Sequence, residues 1–104
     1  MSGIRDEGLL ESALARPENL NAYENASLSQ CAAAYSFGIT RNHPFNDGNK
    51  RTGFVVAITF LLLNNHYINV DEGDVFMTFT QLAAGDLSEE GLIEWFEGII
   101  VKAT

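Results

Sequence analysis

His43, Asp47, Lys50 and Arg51 fall within nine positions of a 104-residue chain, and side chains of these types together can handle a phosphate group. A histidine titrates near neutrality, at a pKa of roughly 6.5, so His43 can accept the proton of a hydroxyl. Asp47 can hold Mg2+, an ion that keeps several of its waters and bridges phosphate oxygens. Lys50 and Arg51 bring positive charge, and the planar guanidinium of Arg51 can meet two phosphate oxygens at once. Gly48 lets backbone amides approach an anion without a Cβ in the way. These residues run directly into the apolar stretch from Gly53 to Leu63. They therefore stand at the mouth of a helix, where unpaired N–H groups and a partial positive charge attract anions. This is a parts list for phosphoryl or nucleotidyl transfer. Taken singly, His43 or Asp47 could be a helix cap, and Lys50 and Arg51 a solvated face. Their coincidence in one short stretch favours the site.

The charge distribution sharpens the point. The chain carries a formal net charge of −8, yet from Asn25 to Val70 the only acidic residue is Asp47. Arg41, Lys50 and Arg51 lie in that same segment and leave it at +2. The overall acidity argues against direct nucleic-acid binding, which needs a basic face. Cys31 is the single cysteine, so no internal disulfide forms; its alanine-rich setting reads as a small buried residue on a helix. The chain opens with no basic segment leading into an apolar one, and Gly53 to Leu63 is too short to cross a bilayer. A cytoplasmic protein with no membrane partner is expected.

The elements that must position the stretch are helices. Leu9, Leu10, Ala13 and Leu14 recur at helical spacing over Asp6 to Arg16, and Pro17 predicts a stop. Glu18 to Ala26 is polar and asparagine-rich and reads as a loop or short flap. Ser27 is placed to cap a second helix reaching about Arg41, with Leu28, Ala32, Tyr35 and Ile39 as its stripe and Ala33, Ala34 and Gly38 admitting a close neighbour. The third helix starts near Gly48 or Asn49 and ends about Asn65. It is apolar on every face, which predicts a surrounded central post. A short link leads to Asp71, a cap for a fourth helix whose predicted core face is Val75, Phe76, Phe79, Leu82 and Ala83, with Gly85 as its end. Ser88 caps a last helix carrying Leu92, Trp95, Phe96, Ile99 and Ile100. No strand alternation longer than a few residues is present. The class is all-α, one domain over residues 1–104, an irregular bundle around a buried central helix. The P-loop, EF-hand, H-E-x-x-H and G-x-S-x-G patterns are absent.

His43-Pro44-Phe45-Asn46-Asp47-Gly48-Asn49-Lys50-Arg51 resembles the signature of the Fic/Doc family, H-x-F-x-[DE]-[GA]-N-[GK]-R, at each defined position. Gly3 to Pro17 and Ala83 to Glu90 are similar to the early helix and C-terminal link of its death-on-curing branch. The resemblance implies a Fic fold that takes ATP with Mg2+ and modifies a hydroxyl on a target protein. It makes His43 the general base, Asp47 the metal ligand, and Asn46, Gly48, Asn49, Lys50 and Arg51 the nucleotide- and phosphate-binding residues. Phe45 would pin the loop, Pro44 would stiffen it, and Asn19 to Ser27 would be the flap on which a target docks. Death-on-curing proteins are toxins, so a small antitoxin partner is implied. The self-inhibitory pattern [ST]-x-x-x-E-[GN] is absent from this sequence, which favours inhibition by that partner.

Two departures bear on which part of ATP moves. AMP-transferring members carry glycine where Lys50 stands, and a second arginine where this chain has Phe54. Lysine at that position resembles the death-on-curing proteins, which are similar to kinases acting on elongation factor Tu. The expectation is phosphoryl transfer. Gly48 and Pro44 match the AMP-transferring version, so AMP transfer is the alternative, and a non-catalytic partner-binding module is the rival from another class. The resemblance also implies about twenty further residues ahead of the Gly3 stretch, a helix's worth by rise per residue, so the N-terminal helix of relatives is expected to be missing from this sequence.

Overall fold

A computed structural model describes residues 7–23, 27–42 and 48–103, with the side chains of 16–23 left aside. Among these residues the order is α1 (Glu7–Tyr23), α2 (Leu28–Asn42), α3 (Asn49–Leu63), β1 (His66–Ile68), α4 (Glu72–Ala84), α5 (Glu89–Ile99) and β2 (Ile100–Lys102). The all-α expectation holds, with one two-stranded ribbon added. No helix among the described residues is long and apolar enough to cross a membrane.

The buried central helix is α2, which packs against α1, α3, α4 and α5. Its start is fixed locally: Ser27 Oγ accepts from Gln30 N at 3.2 Å, and Gln30 Oε1 accepts from Ser27 N at 2.8 Å. This reciprocal cap satisfies two donors that the helix start would otherwise leave open. Beyond it, Cys31, Ala32, Ala33, Ala34, Ser36, Ile39 and Thr40 are all buried. Small side chains let neighbours approach on several sides. A Cβ added to Gly38 would sit 3.2 Å from the Cα of Ala13 on α1, so the glycine sets that crossing distance. Cys31 is buried as expected, and desolvation pushes its thiol pKa up, which keeps it protonated and unreactive.

The central post was expected to be α3, and the structure corrects this. Only Gly53, Ala57 and Leu61 of α3 are buried, a single stripe at i, i+4 and i+8, while Leu63 is 82% exposed. Apolar content marks what a helix could bury; the size of its side chains decides how many neighbours it can take. The alanine face of α2 receives more neighbours than the bulky surface of α3.

Where α2 meets α3, Ser36 Oγ donates to the Gly53 carbonyl at 2.9 Å. A Cβ on Gly53 would lie 2.5 Å from Thr40 Oγ1 and 3.1 Å from the Ser36 carbonyl oxygen. Gly53→Ala should therefore destabilise by ~1–3 kcal/mol through overpacking. Adding Thr40→Ala should recover part of the loss. Thermal melts of the two variants check this, and an unshifted Gly53→Ala melt would mean that the helices separate freely.

Three other expectations are corrected. Pro17 does not end α1, which continues to Tyr23. Proline deletes one i→i−4 bond and can hinge a helix without terminating it. The predicted flap is thus helical from Glu18 to Tyr23, and 24–26 lie outside the described residues. The link after α3 is a strand: β1 pairs antiparallel with β2 through His66↔Lys102, Tyr67↔Val101 and Ile68↔Ile100. Three residues are too few to show alternation in sequence, and Ile100 had completed a helical stripe. The ribbon ties the end of α5 to the end of α3. Third, Phe76 is not core but 70% exposed.

The remaining caps follow their sequence signals. Asp71 Oδ1 accepts from Asp74 N at 2.8 Å, Gly85 ends α4 in the left-handed region at φ 86°, and Ser88 Oγ accepts from Gly91 N at 3.0 Å. Phe79, Leu82, Leu92 and Phe96 form the core with Ala57 and Leu61. Trp95 packs edge-on against Phe79 and Phe96, with centroids 5.9 and 5.0 Å apart, as a core residue.

Candidate functional site

Gly48 is the N-cap of α3 at φ 76°, a conformation that strains any L side chain. A Cβ there would meet nothing within 4 Å, so it is backbone conformation, not crowding by the protein, that demands glycine. The first i→i−4 bond of α3 runs from Thr52 N to Gly48 O at 2.8 Å, which leaves the amides of Lys50 and Arg51 ahead of the helical ladder. Among the described residues no side chain caps this end, and its first turn holds no acidic residue. Lys50 and Arg51 are both exposed there. The helix start is thus an electropositive end whose first turn holds no carboxylate.

That end opens on a pocket of about 540 Å3, within the range of roughly 300–1,000 Å3 common for small-molecule sites. Gly48, Asn49, Lys50 and Arg51 form one side. Val75, Phe76, Phe79, Thr80 and Ala83 of α4 form the other, with Thr40 and Phe54 also in the lining. None of these residues carries a carboxylate. The arrangement suits a ligand with an anionic end and an apolar, ring-like end. Lys50 Nζ stands 5.7 Å from the ring centroid of Phe76, so the cationic and apolar sides meet at the rim. Phe54 packs edge-on against Phe79 at 5.3 Å.

Of the residues singled out in sequence, Gly48, Asn49, Lys50 and Arg51 come together in the pocket. His43, Pro44, Phe45, Asn46 and Asp47 lie outside the described residues. Arg41 is not part of the lining. Its guanidinium lies 5.5 Å from the Phe37 ring and beside Gly85, at the C-terminal end of α4, where a cation meets the negative end of a helix. Sequence reasoning missed Thr40 and the α4 wall. Thr40 offered only its position three residues before His43, and periodicity had turned Phe76 inward.

Comparison with known proteins fits this picture. The Fic/DOC family pattern matches residues 2–61. The chain is 42% identical over 72 residues to a protein named Toxin Doc from Mycolicibacterium smegmatis, an alignment covering 65% of this chain and 54% of that one. It is 37% identical over 65 residues to a Protein kinase doc from Escherichia phage P1, covering 62% and 52%. The chain thus spans about half the length of each of these relatives. With the family pattern matched over more than half of its residues, the chain belongs to the Fic/DOC family.

Proposed function

We propose that this chain is a toxin that transfers the γ-phosphoryl group of ATP to a hydroxyl of a protein. The observation that carries the reading is the pocket itself: a helix start with Lys50 and Arg51 faces an apolar α4 wall. A nucleotide has the matching halves. Its phosphates would take the amides and cations of Asn49, Lys50 and Arg51, with Asn46 and Gly48 completing the cradle. Its base would lie against Val75, Phe76 and Phe79. His43 would remove the proton of the attacking hydroxyl. Asp47 would hold Mg2+, and the donor chemistry fits: a single carboxylate beside phosphates is a common way to bind this ion. Bound there, Mg2+ would neutralise charge on the phosphate oxygens.

Two features favour phosphoryl over AMP transfer. Lys50 puts a bulky cation where AMP-transferring members have glycine. Phe54 packs on Phe79 and offers no grip to a phosphate. The phage relative's name, Protein kinase doc, points the same way. Target and partner come from the family resemblance: a translation factor such as elongation factor Tu, and a small antitoxin that inhibits in trans.

The test is transfer to proteins of a cell lysate from ATP labelled at either the α or the γ phosphorus. Label on protein from γ alone is the expected result. Label from the α position would replace the kinase by an AMP transferase. Label from neither, with soluble protein, would favour a module that only binds its partner.

A further inference from the structure

The face of α2 that meets α3 carries two fully buried hydroxyls one helical turn apart, Ser36 and Thr40. Ser36 is paired, to the Gly53 carbonyl. Thr40 Oγ1 has no hydrogen-bond partner among the described residues. Buried hydroxyls are paired in native proteins with few exceptions, so an unpaired one calls for a cause. Thr40 is 0% exposed, and it lines the pocket together with Gly48, Asn49, Lys50 and Arg51.

The surroundings indicate the kind of partner this hydroxyl suits. The Lys50 and Arg51 amides stand ahead of the helical ladder, and their side chains are cations. All of these groups donate, and so can a hydroxyl. An oxyanion with several lone pairs can accept from all of them. Gly53 supplies the room, because a Cβ there would press within 2.5 Å of Thr40 Oγ1. Thr40 itself lines the pocket, and threonine in a helix divides between two χ1 rotamers, so reorienting its hydroxyl requires no backbone change.

We propose that Thr40 is a phosphate-binding hydroxyl, donating to a phosphate oxygen at the floor of the pocket beside the α3 N-terminus. The assignment rests on the reading that this pocket takes the phosphates of ATP. It adds to the cradle a residue that lies outside the His43–Arg51 stretch.

The experiment is calorimetric titration of the full chain and its Thr40→Val and Thr40→Ser variants with inorganic pyrophosphate and, separately, with ATP and Mg2+. Valine keeps the shape and removes the hydroxyl; serine keeps the hydroxyl. Thr40→Val should bind both ligands about tenfold more weakly, the scale of one hydrogen bond to a charged group. Thr40→Ser should stay within about threefold of wild type. The melting temperature of ligand-free Thr40→Val should not fall, because the hydroxyl has no partner to lose. Should it fall, restored affinity in Thr40→Ser still supports the proposal, and affinity lost in both variants overturns it. Equal affinities in Thr40→Val and wild type overturn the proposal and leave the nucleotide reading standing. Pyrophosphate binding that needs Thr40, with no binding of ATP, supports the hydroxyl's role and defeats the nucleotide reading. A wild type that takes neither ligand overturns both.

Discussion

Replacing His43 by alanine should lower transfer of labelled phosphate to protein by about 10²–10⁴-fold, the usual contribution of a positioned general base. The same substitution should relieve growth arrest when the gene is induced in a bacterial host. His43 follows Asn42, the last residue of α2, and comes three residues after Thr40 and five before Gly48, both of which line the pocket. The Asn42 side chain donates to the Leu9 carbonyl at 3.2 Å, tying the end of α2 to α1 just ahead of the histidine. The only other histidine, His66, is occupied elsewhere: its Nδ1 donates to the Asn64 carbonyl at 2.7 Å beside the β-ribbon. Loss of the His43 imidazole should leave nucleotide affinity nearly unchanged, because the cradle lies on α3. A variant that binds ATP normally but transfers at the wild-type rate would remove His43 from the chemistry.

Legibility in the sequence followed how local each signal is. The caps at Ser27, Asp71, Gly85 and Ser88 were read correctly because a cap is decided within three or four residues. The meeting of Gly48 to Arg51 at one helix start was legible for the same reason: they are consecutive, and a helix start displays its first residues together. The errors concern which side of a helix meets which neighbour. Periodicity gave α4 an apolar face containing both Phe76 and Phe79, but only Phe79 reaches the core. Alanine-rich α2 looked less central than leucine-rich α3, although small residues are what let it pack on several sides. Thr40 could not be found at all, since a threonine near a helix end carries no signal until the pocket beside it is seen. The ribbon joins residues more than thirty positions apart, and its strands are too short to announce themselves.

Phe96 and Phe76 turn that distinction between pattern and packing into a measurement. Phe96 is fully buried, lies in the core cluster with Leu61, Phe79 and Leu92, and meets Trp95 edge-on at 5.0 Å. Phe96→Ala should cost about 3–5 kcal/mol, the range for emptying a buried aromatic position. Small domains have only about 5–15 kcal/mol in total, so the variant should melt more than ~10 °C lower or fail to fold cooperatively. Transfer activity should go with it, because α5 packs on the same α2 that carries Thr40 to the pocket. Phe76 is 70% exposed, and its described ring contact is with the Lys50 ammonium at 5.7 Å. Phe76→Ala should shift stability by no more than ~0.5 kcal/mol, as surface replacements do. If the ring is a platform for the nucleotide base, the same change should weaken ATP binding by roughly tenfold, the scale of one aromatic–base stack. Pyrophosphate, which has no base, should bind Phe76→Ala as it binds the wild type. Equal loss of ATP and pyrophosphate affinity would show that Phe76 acts on the cradle through Lys50 and not on the base. An unshifted melt for Phe96→Ala would mean that the core is centred elsewhere than on α2, α4 and α5.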